Sequence, residues 1–225
     1  MSKSHGNVIN PDDYIEQYGA DTLRMYLMFL GPLDHGGDFT EQGIGGITRF
    51  LNRVWNVVNK QTKHLRRNTL ELEYQRNLHK TIQRVTDDIK RLKYNTAIAA
   101  LMEYLNLLQS RESLFEEEIN TFLRLLAPFA PHIVEELWKR IGGEYSVHQQ
   151  SWPQANPKLL IEEQVEIAVQ INGKMRAVIT LPADAKQEDA LAIALQTSAV
   201  QRYVGNSAIK RVIYVPNRIV NIVME

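Results

Sequence analysis

No cysteine occurs among the 225 residues, which removes disulfides, thiolate zinc sites and cysteine nucleophiles together. That absence fits a reducing cytosol, and the expected location is cytoplasmic. An excess of charge of either sign is missing too. The 26 Lys and Arg residues equal the 26 Asp and Glu residues, which at first sight argues against a nucleic-acid partner. Long apolar runs are absent: stretches such as Met25 to Leu30 stop far short of the roughly 20 residues of a membrane span, and no signal peptide is expected. There is no repeat and no low-complexity tract. With 44% hydrophobic and 23% charged residues, disordered and collagenous classes are excluded, and the chain is long enough for one or two domains with a substantial core.

What is present falls into three regimes, separated by glycine and proline. Residues 1–43 are a polar, glycine-bearing start, then Pro11-Asp12-Asp13 as helix-start chemistry, then a helix from Tyr14 to Leu30 that Gly31-Pro32 ends. Residues 44–155 read as a helical bundle. Ile47, Leu51, Val54, Val58 and Leu65 share one face of a helix running from Ile44 to Arg67. Leu78, Ile82, Val85, Ile89 and Leu92 give a second helix, Tyr74 to Lys93. A third follows the candidate caps Asn95-Thr96, a fourth runs from Ser113 to Leu126, and a fifth from His132 to Ile141. The stretch from Glu144 is expected to wrap the bundle, with residues 156–163 as a linker. Residues 164–225 are β-rich: Val165 to Ile171 alternates, Asn172-Gly173 is a two-residue hairpin turn, and Ala177 to Leu181 returns. A helix from Gln187 to Val204 precedes a second hairpin, Ile209 to Val215 and Ile219 to Met224. The fold class expected is mainly α followed by α+β, a helical bundle with a small ββαββ unit that is short for independent stability.

Zero net charge is an average. Between Ile44 and Leu70 there are six Lys or Arg and no Asp or Glu, a net +6. Tyr74 to Tyr94 carries six more against Asp87 and Asp88, a net +4, so these two helices total +10. Arg49, Arg53, Asn56, Lys60, Lys63, His64 and Arg67 form one stripe of the first. Uncompensated like charges on neighbouring helical turns repel, so a merely solvated face normally mixes signs. A phosphate-backbone surface is the alternative, with binding steeply dependent on salt. Trp55 flanks the stripe, with core packing favoured over a stacking role. The six histidines lack metal-ligand spacing, no metal is assigned, and Glu116-Glu117-Glu118 reads as a solvated acidic helix start. Met1 to Asn7 has the residue types of a phosphate-binding loop, although seven polar residues at a chain start, taken alone, more often describe a frayed terminus.

Met1-Ser2-Lys3-Ser4-His5-Gly6-Asn7, then Pro11-Asp12 and Tyr18-Gly19-Ala20-Asp21-Thr22-Leu23-Arg24, resembles the KMSKS loop of class I aminoacyl-tRNA synthetases and the segment after it. Arg49 to Trp55, His79 to Ile82, Tyr94 to Glu103, Pro128-Phe129-Ala130-Pro131-His132, Val169 to Arg176 and Arg211 to Pro216 are similar to bacterial leucyl-tRNA synthetases, in order and along the whole chain. The resemblance implies a carboxy-terminal portion: the end of the catalytic domain (1–43), a helical anticodon-binding-type domain (44–155) and a small tRNA-binding domain (164–225). Lys3 matches the second lysine of the loop, which stabilises charge on the ATP phosphates, with Ser2 and Ser4 shaping the loop. The motif's first lysine would precede Met1.

The nucleotide-binding sheet and leucine pocket of the family have no counterpart in this sequence, so this polypeptide alone is expected not to activate leucine. ATP with magnesium belongs to the complete enzyme, and none is expected to be held by this portion. The implied partners are a leucine-specific tRNA and the amino-terminal catalytic portion, with no membrane. Expected tRNA contacts are Arg49, Arg53, Lys60, Lys63 and Arg67, then Lys80 and Arg84, then Lys174, Arg176, Lys210, Arg211 and Arg218 near the hairpins. For these last five, solvated strand and turn charge is an equal alternative. A free-standing RNA-binding module with a vestigial phosphate loop is the competing functional reading.

Overall fold

The computed structural model describes residues 10–32, 35, 37–61, 65–161, 164–205 and 208–224. Ser2, Lys3, Ser4 and Lys63 lie outside the described residues. The chain divides into two compact units, Met1–Leu160 and Ile161–Glu225.

In the first unit Asn10 caps α1 (Pro11–Tyr18), accepting the N–H of Asp12 at 3.3 Å, with Pro11 at the first helical position. Gly19 then takes φ +88°, a conformation that costs a glycine little, and α2 (Ala20–Phe29) restarts the helix. The one helix expected from Tyr14 to Leu30 is therefore two. α3 (Glu41–Gln61) is anchored at its start by Tyr26, whose hydroxyl donates to the Thr40 carbonyl at 2.8 Å and accepts the Thr40 N–H at 2.7 Å. It buries Ile47, Leu51, Val54 and Val58, the face that its periodicity marks.

The expected continuation of that helix to Arg67 does not form. Residues 65–70 are irregular, with one bridge at Arg66: its N–H donates to the Leu114 carbonyl at 2.9 Å, and its carbonyl accepts from the Glu116 N–H at 3.0 Å. Pairing with a distant segment satisfies the backbone here and lets Leu70 bury, so tertiary contact overrides the helical pattern. α4 (Leu72–Lys90) stops where Leu92 adopts φ +57°. α5 (Tyr94–Gln109) begins at Tyr94 itself, not after an Asn95-Thr96 cap. α6 (Glu116–Leu126) and α7 (Pro131–Arg140) complete the bundle around a core that includes Phe122, Phe129 and Trp138.

After α7 the chain is fastened back onto α4. Trp152 Nε1 donates to Thr86 Oγ1 at 2.9 Å, and the Asn156 N–H to His79 Nδ1 at 3.0 Å. α8 (Pro157–Leu160), a single helical turn within the stretch read as a linker, also packs on α4.

The second unit is a four-stranded sheet of order β2-β1-β4-β3, from β1 (Gln164–Ile171), β2 (Lys174–Pro182), β3 (Ile209–Val215) and β4 (Ile219–Met224). Asn172 and Gly173 both have positive φ, as the first hairpin turn requires. β1 and β4 run parallel in the centre, and each hairpin contributes one edge. The expected helix from Gln187 to Val204 is interrupted at Thr197, giving α9 (Gln187–Gln196) and α10 (Ser198–Val204). These cover the face presenting Ile167, Val169, Ile179, Leu181, Val220 and Ile222. The opposite face keeps Met175, Val178, Ile213 and Val215 exposed.

Candidate nucleic-acid interface

The helical pattern that buries one face of α3 puts Arg49, Asn52, Asn56 and Lys60 on its exposed side, and the helix carries no Asp or Glu from Ile44 onward. Arg49 and Lys60 form no hydrogen bond or ion pair among the described residues, so their charge is available to an outside anion. Arg53 is different. It lies half-buried against α5, where its guanidinium donates to Asn106 Oδ1 and, through Nε, to Gln109 Oε1 at 2.9 Å. Both partners are neutral amides, so the positive charge survives while its donors are occupied.

Arg67 is brought elsewhere than the stripe anticipated, because it follows the helix end. Its Nε pairs with Glu116 at 2.8 Å, yet its side chain stays 82% exposed. In such exposure the pair is worth well under about 1 kcal/mol and exchanges readily for a phosphate. Lys80 and Arg84 are exposed on α4, the latter paired with Glu103 of α5 at 2.5 Å. The two basic helices are neighbours in sequence, and each packs mainly on other helices. α3 packs on α2, α5 and α7, and α4 on α5, α6 and α8. The +10 is therefore carried by two helices that share α5 as a neighbour.

Trp55 is half-buried against the core, as expected, but its ring also carries Arg140 of α7 with the guanidinium 4.4 Å from the centroid. Arg140 also pairs with Glu136 at 2.8 Å and donates to Asn59 at 3.4 Å. Sequence spacing carried no signal for this cation, because its platform lies on a helix distant in the chain.

The acidic run at the start of α6 is not uniformly solvated. Glu118 is fully buried, contrary to the expectation, and accepts from Tyr104 Oη at 2.9 Å and Arg111 Nη2 at 2.6 Å. Its other oxygen receives the Phe115 N–H at 3.4 Å, so the same residue closes the helix N-terminus. Burial pushes the Tyr104 hydroxyl far above its ordinary range, and the adjacent Glu118 charge adds to this. Burial opposes the charge on Arg111, but the hydrogen bond and charge of Glu118 outweigh it and raise its pKa. Arg111 further stacks on Tyr74, 4.1 Å from the ring centroid. This triad holds α5, α6 and α4 together and leaves its charges compensated.

In the second unit Lys174, Lys210, Arg211 and Arg218 are exposed and form no ion pair among the described residues. Lys174 starts β2, Lys210 and Arg211 lie at the irregular end of β3, and Arg218 is in the turn before β4. Arg176 is instead half-buried, stacked 3.8 Å over the Tyr203 ring of α10. Among the described residues no three His, Asp or Glu side chains converge in a group fit for a metal, and no helix is long and apolar enough to cross a membrane.

The chain is similar to known proteins in sequence and fold. Residues 73–193 match the model of the anticodon-binding domain of tRNA ligase, and residues 1–37 that of tRNA synthetases class I (I, L, M and V). Leucine–tRNA ligases of Dehalococcoides mccartyi and Thermotoga maritima are 42% and 43% identical over the whole chain. The chain spans only 29% and 30% of their respective lengths. The structure of an Agrobacterium radiobacter K84 agnB2 leucyl-tRNA synthetase, solved as a ternary complex with tRNA and LeuAMS, superposes with TM-score 0.83 at 32% identity. That match covers 100% of this chain and 31% of the other. The chain thus belongs to the anticodon-binding-domain family of tRNA ligases, and corresponds to the carboxy-terminal part of leucine–tRNA ligases.

Proposed function

We propose that this chain is the tRNA-binding carboxy-terminal part of an enzyme that attaches leucine to its tRNA, using ATP with magnesium and passing through leucyl-adenylate. The observation that carries the reading is the exposed side of α3, where from Ile44 onward there is no Asp or Glu and where Arg49 and Lys60 have no internal partner among the described residues. Such a surface gains by releasing counterions from a phosphate backbone. Lys80, Arg84 and Arg67 extend the charge, and Lys174, Lys210, Arg211 and Arg218 supply a second set of cations in the smaller unit.

Lys3 would stabilise charge developing on the ATP phosphates in the complete enzyme, with Ser2 and Ser4 holding the loop around it. The chain by itself binds tRNA and does not activate leucine, and the complete enzyme works in the cytoplasm. Mixing the chain with the remainder of the ligase should restore leucine-dependent pyrophosphate exchange. A folded complex with no exchange would favour a free-standing RNA-binding module. Arg49→Glu with Lys60→Glu should weaken tRNA retention and flatten its dependence on salt.

A further inference from the structure

Between the second half of α3 and the end of α5 lies a groove of about 190 Å³ with Asn56, Lys60 and Gln109 at its rim and Val57, Leu108 and Leu114 among its lining. Arg111 also lines it, and among the described residues no carboxylate does. The groove opens on the side of α3 where Lys60 is exposed. Its size admits one flat heteroaromatic ring system.

The polar groups at the rim are of a particular kind. Arg53 donates to the carbonyl oxygen of Gln109 through Nε at 2.9 Å, which assigns that amide's oxygen and leaves the NH2 of this exposed residue a donor without a partner among the described residues. Asn56 is exposed and offers both a donor and an acceptor, with neither used among the described residues. A phosphate needs donors only. It would leave the Asn56 carbonyl unused and gain nothing from the Val57, Leu108 and Leu114 side chains. A nucleobase uses all of these: its edge pairs with amides and its face covers apolar carbon. The neighbouring cavity beside Tyr74 and Arg111 is lined by Glu73 and Glu118 and lacks that charge complementarity toward RNA.

We propose that this groove receives one unstacked nucleobase of the bound RNA, with Asn56 and Gln109 pairing to its edge and Lys60 holding the adjoining phosphate. Arg53 is then a positioning residue that orients Gln109, not a backbone contact. The inference rests on the RNA-binding reading above and adds base contact to it.

The test is binding of the full 225-residue chain to a leucine tRNA transcript, measured across about 50 to 200 mM salt. Asn56→Ala with Gln109→Ala should lower affinity at least about fivefold at every salt concentration, with an unchanged slope, because no charge is removed. Both positions are exposed on helices and alanine is a better helix former, so the fold is retained, as a thermal melt will verify. Arg53→Lys keeps the charge but loses the fork that orients Gln109, and should also weaken binding at constant slope. Lys60→Glu should lower both affinity and slope. If the amide variant binds like the parent while Lys60→Glu loses affinity, the base groove is overturned and RNA binding on this face stands. If folded Lys60→Glu changes neither quantity, RNA binding on this face falls, and the groove with it.

Discussion

Oδ2 of Asp21 accepts the backbone N–H of Ile133 at 2.7 Å, joining positions 112 apart in the chain. Oδ1 takes the His132 N–H at 3.3 Å and lies 2.8 Å from its Nδ1. α7 has no side-chain cap of its own, since Ala130 and Pro131 stand at its start. A carboxylate from α2 does that work and also complements the helix dipole. One turn further along α2, Arg24 donates to the Pro128 carbonyl at 3.2 Å. The Tyr18 to Arg24 motif and the Pro128 to His132 motif, read as separate in the sequence, are two halves of one joint. Asp21→Ala should cost about 2 kcal/mol in chemical denaturation and Asp21→Asn about half of that.

The buried pair of Glu118 and Arg111 gives a non-additive expectation. Glu118→Gln leaves the guanidinium, only 14% exposed, without its counter-charge, and should destabilise by about 3 kcal/mol. Arg111→Met should cost a similar amount by stranding the carboxylate. Glu118→Leu combined with Arg111→Met removes both charges and should be less destabilised than the sum of the single changes. Urea unfolding of the set measures the coupling.

His79 carries a pH dependence. Burial lowers its pKa from the ordinary 6.5, with Glu117 opposing, and its neutral Nδ1 accepts the Asn156 N–H. The unfolded chain therefore takes up the proton first as pH falls. The stability held by neutral His79 is fully present above about pH 6.5 and declines as pH drops through the folded value. His79→Gln keeps an acceptor in place and should flatten that part of the stability curve, read from melting temperatures between pH 5 and 7.5 or so.

Two glycines of α3 should respond in opposite directions. A Cβ on Gly43 would sit 2.6 Å from the Tyr26 ring and hydroxyl, so Gly43→Ala should displace the tyrosine that anchors the helix and cost about 1 to 3 kcal/mol. A Cβ on Gly46 meets only Arg49, at 3.9 Å. Gly46→Ala should therefore stabilise by about 0.5 to 1 kcal/mol through reduced freedom of the unfolded chain. Differential thermal melting of the two variants checks both.

Periodicity made Ile47, Leu51, Val54 and Val58 legible as a buried face, and Asn172-Gly173 legible as a turn, because both depend on neighbours a few residues away. The helical pattern runs on through Leu65 and Arg67, because nothing local announces the bridge by which Arg66 pairs with Leu114 and Glu116. Glu118 could not be separated from Glu116 and Glu117 by composition. Its burial follows from where α5 puts Tyr104.

The amino-acid sequence by itself determined the two structural classes in order, the concentration of cations between Ile44 and Tyr94, and the relationship to leucine–tRNA ligases through several motifs at matching spacing. Only the tertiary structure decided which cations remain available. Arg53 is turned onto Asn106 and Gln109, Arg84 onto Glu103 and Arg140 onto Trp55, while Arg49 and Lys60 are left to solvent. The reason is one of range: side-chain faces repeat over one or two helical turns and can be counted along the chain. A charge is neutralised, redirected or left free by whichever helix packs beside it, and that helix comes from far away in sequence.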